Sequence, residues 1–179
     1  DPLSTVNDGS CYYYLKTYVP DDNFEAYLEA NGMGDDTILN DSVTTGNINT
    51  VPYLHIWYEN ISDLTGIQDF NALTELDCWG NQLTSLDVSQ NLALAYLWVS
   101  DNQLTSLDVS QNLALTYLGV EDNELTSLDV SQNTALNGLG VSDNQLTSLD
   151  VSQNTALTNL DVSGNQLTSL VLGNNTNLY

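Results

Sequence analysis

The chain has 179 residues, enough for one domain, and carries 24 acidic side chains against one basic side chain, for a formal charge of −23. That balance excludes nucleic acid and anionic membranes as natural partners, because phosphate binding needs Lys and Arg. No apolar run approaches the about 20 residues that cross a bilayer, and so large a like charge points to a salty or calcium-containing medium that screens repulsion.

Residues 1–19 read as a polar, Tyr-rich tail or linker. They include Cys11, whose partner the sequence does not name, and Tyr12, Tyr13 and Tyr14, which are placed to fold over a neighbouring surface. The chain opens at Asp1 rather than Met, as a mature or excised piece would. Residues 20–179 form the repeat domain, with a cap and first irregular coil over 20–50 and repeats over 51–179. Within the cap, Asp21 or Asp22 starts a helix that runs to about residue 31. Its carboxylates stand at the favourable end of the dipole. Phe24, Tyr27 and Leu28 make one apolar stripe, and Gly32 follows as the stop. Such a helix covers the first coil of a stacked structure, which has no neighbour above it.

The string LTSLDVSQN then recurs at Leu83, Leu104, Leu125 and Leu146, at a spacing of 21 residues, and LTSL returns at Leu167. A fixed period this short predicts a solenoid in which each coil buries a shared core. Leu118 and Val120 alternate with Tyr117, Gly119 and Glu121, and Leu107 and Val109 alternate with Ser106, Asp108 and Ser110. Period-two alternation predicts a strand with one buried face, here twice per coil. The fold class is therefore mainly β: a solenoid of 21-residue coils, short parallel strands on both broad faces, and a short N-terminal helical cap. Asn81, Asn102, Asn123, Asn144 and Asn165 form one column at coil corners, and Asn91, Asn112, Asn133 and Asn154 another. Their amides are expected to bond backbone groups that the sheets cannot pair. Cys78 stands where other coils have Val and reads as a small buried hydrophobe. The repeats run to Tyr179 with no C-terminal cap, which opens the last coil's apolar positions to end-to-end self-association.

The unit LxxLxVxxNxL, followed by xxLDVxxNxx, resembles the nested 21-residue class of bacterial leucine-rich repeats. The segment TYVPDDNFEAYLEANGMGD resembles the opening of secreted leucine-rich-repeat proteins of flavobacteria and their relatives. The resemblance implies a secreted or surface-attached binding module, often part of a longer protein, and it names no ligand.

The two outward faces differ. On one, Asp87, Asp108, Asp129 and Asp150 repeat unchanged between serines. Like charges opposite one another repel unless bonded or screened. Hydroxyl bonding within the scaffold is the simpler account, and calcium held between adjacent carboxylates is the alternative. An ice-ordering hydroxyl array is argued against by the strongly hydrated aspartates at its centre. The other face varies from coil to coil. It carries Tyr53, His55, Trp57, Glu75, Asp77, Trp79, Tyr96, Trp98, Tyr117 and Glu121, including all three tryptophans and the one histidine, and it fades to Gly138 and Gly140. With Leu and Val inward these rings cannot be core, and an exposed Trp/Tyr patch marks a recognition surface. Cross-strand stacking that merely stabilises the sheet is the plainer alternative. The face suits a protein partner, with a carbohydrate as second choice. The expected function is extracellular recognition or adhesion, by a secreted or cell-surface module. A glycan-binding module of a secreted enzyme or adhesin and a ligand-free rigid spacer are the alternatives. No nucleophile–base motif, phosphate loop, His–Cys metal cluster or nucleotide fingerprint occurs, and no enzymatic activity or obligatory cofactor is expected.

Overall fold

In the computed structural model, which describes residues 15–37 and 39–178, six coils stack through one continuous parallel sheet. The cap comes first. Strand β1 (Lys16–Tyr18) pairs antiparallel with β2 (Ser42–Thr44), and helix α1 (Asp22–Ala30) lies between them in sequence. A short helix α2 (Thr45–Ile48) then leads into the coils. The sheet strands are β3 (Tyr53–His55), β4 (Glu75–Asp77), β5 (Tyr96–Trp98), β6 (Tyr117–Gly119), β7 (Gly138–Gly140) and, beyond β8 (Ser148–Asp150), β9 (Asn159–Asp161). Each contributes one inward leucine, and Leu54, Leu76, Leu97, Leu118 and Leu139 are buried in register beneath the sheet. A one-residue slip would expose that whole row, so hydrophobic burial sets the orientation of the opposite face as well.

Helix α1 forms where the stripe and capping residues place it. Asp21 accepts from the amides of Asn23 and Phe24, both at 3.0 Å, which satisfies two orphan donors of the first turn. Its other oxygen accepts from Ser62 N, Ser62 Oγ and Asp63 N, which ties the cap to the first coil. Phe24 and Leu28 are fully buried, and the Phe24 ring stacks on Phe70 of the coil below at 6.3 Å. Tyr27 donates its hydroxyl to the carbonyl of His55 at 2.6 Å, bracing the edge strand of the sheet.

Two expectations need correction. The tail boundary at residue 19 is too late, because Lys16–Tyr18 is a strand and Val19 is fully buried. A three-residue strand shows no period, and its partner lies far away in sequence. The second broad face is also less regular than expected. Among the described residues it holds only β8 paired with β10 (Ser169–Val171) and an isolated bridge between Asp87 and Asp108. On this face Asp87, Asp108, Asp129 and Asp150 accept the amides of Ser89, Ser110, Ser131 and Ser152 at 2.8–2.9 Å. In the last coil Leu170, Val171 and Leu172 are exposed. Among the described residues no helix is long and apolar enough to cross a membrane.

A formal charge of −23 on one stack makes repulsion a stability term. Raising NaCl from ~10 mM to ~0.5 M, which shortens the Debye length about sevenfold, is expected to raise the melting temperature. Thermal unfolding followed by circular dichroism checks this, and a melting temperature that falls or stays level with salt would contradict it.

Candidate functional site

The sheet's outward side chains line up in three columns. The first runs Tyr53, Glu75, Tyr96, Tyr117, Gly138, and the second His55, Asp77, Trp98, Gly119, Gly140. The third lies just past the strands, where the backbone ladder continues, and runs Trp57, Trp79, Ser100, Glu121. The rings are solvent-facing, as the register requires. Tyr53, Trp57, Trp79 and Tyr96 are 61, 45, 42 and 43% exposed, while Trp98 and Tyr117 are half-buried against their neighbours.

The aromatics hold one another. Tyr96 and Trp98 stack nearly parallel at 5.7 Å, and Trp98 meets Tyr117 at 5.3 Å. His55 lies over Trp57 at 6.5 Å. The glycines that seem to end the patch are its seats. A Cβ on Gly138 would stand 2.7 Å from the Tyr117 ring, and one on Gly119 would stand 3.2 Å from Trp98 Cδ1. A Cβ on Gly140 would stand 1.8 Å from the Glu121 carboxylate. Both Gly138 and Gly140 are buried under those side chains, so the patch leans one coil further than its own residues.

Seven of the ten expected site residues converge. His55, Trp57, Glu75, Asp77, Trp79, Trp98 and Glu121, with Ser100 and Asp122, line an open cleft of about 490 Å³. Tyr53, Tyr96 and Tyr117 stand outside it in the adjoining column. His55 Nε2 lies 2.9 Å from Glu75 Oε1. Asp77 Oδ1 accepts the Trp79 amide at 3.2 Å, and Glu121 accepts the Ser100 hydroxyl. Burial, and next the charge of Glu121, raises the Tyr117 phenol above its ordinary range.

Two contributors escape sequence reasoning. Asp122 looks like a turn residue, since Asp101, Asp122 and Asp143 occupy the same left-handed corner at φ 52–53°. Tyr58 occupies the equivalent corner of the first coil at φ 56°, an uncommon conformation for a bulky residue. It packs on Trp79 at 4.8 Å, over Gly80. The usable signal was a tyrosine where later coils place Asp or Gly.

Other acids lie outside the cleft. The constant column carries no ring. Its carboxyls sit below their ordinary range, chiefly through bonds from the serine amide for Asp87, Asp108 and Asp129 and from the serine hydroxyl for Asp150. In the cap, Asp22, Glu25 and Asp41 bring carboxylate oxygens within 4.8 Å of one another. The buried Glu25 uses both its oxygens on the amides of Asn40 and Asp41. Cys78 is buried, its thiol pushed up by the loss of solvent and next by Asp77. Cys11 and Tyr12–Tyr14 lie outside the described residues, and with them the expectation that the tail covers the face.

No protein-family profile matches the chain. It is 40% identical over 74 residues to internalin J of Listeria monocytogenes, which is 41% of this chain and 8% of that protein. The solved functional domain of internalin J, which includes a cysteine ladder, superposes with TM-score 0.83 at 38% identity, over 93% of this chain and 38% of that one. A second Listeria internalin superposes with TM-score 0.78 at 22% identity, over 90% of this chain and 49% of that one, a likeness of fold alone. A leucine-rich-repeat protein of Leptospira interrogans gives 0.66 at 26% identity, over 68% of this chain and 33% of that one. The chain is a leucine-rich-repeat solenoid similar to the internalins and spans well under half of the internalin J sequences it matches. These relatives come from Listeria and Leptospira, and the expected flavobacterial affiliation finds no support in them.

Proposed function

We propose that this chain is a non-enzymatic recognition module of a secreted or cell-surface protein, docking a protein partner on its aromatic-acidic strand face. One observation carries the reading. The face that varies from coil to coil gathers all three tryptophans and four carboxylates into one open cleft on a braced sheet. Rigid aromatic anchors with polar neighbours are the usual energetic centre of a protein interface. The similarity to internalin J adds a relative of the same architecture.

The test is a variant carrying Trp57→Ala, Trp79→Ala and Trp98→Ala, compared with the unmodified chain on an array of purified extracellular proteins and on a glycan array. Reproducible protein binding that drops at least ~100-fold in the variant is expected, in line with losing about 2.7 kcal/mol or more of anchor energy. The melting temperature should stay within a few degrees, because these rings lie outside the core. Binding confined to glycans would replace the protein partner with a carbohydrate. Silence on both arrays would leave a rigid spacer.

A further inference from the structure

The cleft is unusual in what it lacks. Its carboxylates, Glu75, Asp77, Glu121 and Asp122, face no fixed cation. The one basic residue of the chain, Lys16, is bonded to Asp35 in the cap, and His55 is already against Glu75. The charged lining is all acceptor, and its donors are the neutral indole N–H groups of Trp57, Trp79 and Trp98 and the His55 ring. Carboxylates accept only, and the Ser100 hydroxyl spends its proton on Glu121. A sugar is neutral and would leave the four carboxylates without a counter-charge. A guanidinium presents five N–H donors and no acceptor.

We propose that the cleft between Trp57, Trp79 and Trp98 receives an arginine side chain of the partner protein. The assignment rests on the docking face proposed above and names the group that the face is built to take. The flat guanidinium lies on an indole face while its edge N–H groups reach Asp77 and Glu121. The platforms are already held. Trp98 is flanked by Tyr96 and Tyr117, and Trp79 packs against Tyr58, so little side-chain freedom is left to lose on binding. Asp77 has one oxygen committed to the Trp79 amide and a second with no hydrogen bond among the described residues. A lysine ammonium is a more strongly hydrated point charge and neither stacks nor bonds in a fork.

The three indole N–H signals of a proton–nitrogen correlation spectrum report the cleft directly. The chain is titrated with the capped tripeptide acetyl-Gly-Arg-Gly-amide at ~150 mM NaCl, where the overall charge is screened. The lysine and citrulline counterparts are run beside it. Saturable shifts of the Trp79 and Trp98 signals with arginine are expected, with at least ~5-fold weaker affinity for lysine. Citrulline has nearly the same shape without the charge and should give none. The variant Asp77→Asn with Glu121→Gln should lose the arginine response at an unchanged melting temperature. Lysine equal to arginine, a saturable citrulline response, a response surviving in the amide variant, or no saturable shift at all each overturns the assignment. If the peptide fails while the tryptophan variant still loses protein binding on the array, only the arginine assignment falls. If the array is silent as well, the docking face falls with it.

Discussion

Asn123→Ala is expected to cost about 3 kcal/mol, lowering the melting temperature by roughly 6–12 °C for a chain of this size. The side chain is buried and used at both ends. Its Oδ1 accepts the Leu104 amide at 2.9 Å, and its Nδ2 donates to the carbonyls of Val99, Val120 and Glu121. Alanine leaves the Leu104 N–H buried without a partner, which is the costly half of the change. Asn112→Ala is the comparison. That side chain is just as buried, but only its amide nitrogen is used, toward Val88 and Asn91, while its Oδ1 has no hydrogen-bond partner. Its removal should cost less by about 2 kcal/mol, since no backbone donor is orphaned and an unpaired acceptor disappears. Thermal or urea unfolding of both variants decides it, and equal losses would refute the distinction. The same asymmetry recurs at Asn91, Asn133 and Asn154, so the two columns have different duties along the whole stack.

Gly66→Ala should cost about 2–3 kcal/mol and loosen the cap. Gly66 has φ 110°, outside the left-handed well that other residues tolerate, and an added Cβ would stand 3.0 Å from the Tyr18 carbonyl oxygen and 2.9 Å from Val19 Cγ2. The obstructing atoms are backbone and core, so they cannot swing away. The opposite case is Gly32→Ala. Gly32 has φ 71° with open space where the Cβ would go, and about 1 kcal/mol is expected. Hydrogen exchange at the Val19 and Thr45 amides, which bond Asp41 and Leu15 across the cap, should quicken in Gly66→Ala. A Gly66→Ala protein no less stable than Gly32→Ala would show that the cap strand does not press on that turn.

Much of this was legible in the residues because a repeat is its own alignment. Leu54, Leu76, Leu97 and Leu118 face inward in every coil, and that periodicity alone set which rings stand in solvent. The α1 helix was readable from Asp21, the Phe24 and Leu28 stripe, and Gly32. The strand at Lys16–Tyr18 was not, because three residues carry no period and their partner is supplied by the fold. Tyr58 owes its importance to a backbone angle and a neighbour one coil away, and both belong to the fold. The fade to Gly138 and Gly140 read as the end of the patch, whereas the glycines lie beneath Tyr117 and Glu121.

The chain's order of residues therefore determined the coil, its handed-out faces and the candidates on the varied one, since burying leucine every second position leaves the alternate positions no other place to go. Tertiary stacking alone decided which candidates share a cleft, which asparagine column is fully bonded, and how little of the second face pairs as sheet. Those outcomes depend on distances between residues 21 positions apart, and such distances exist only once one coil rests on the next.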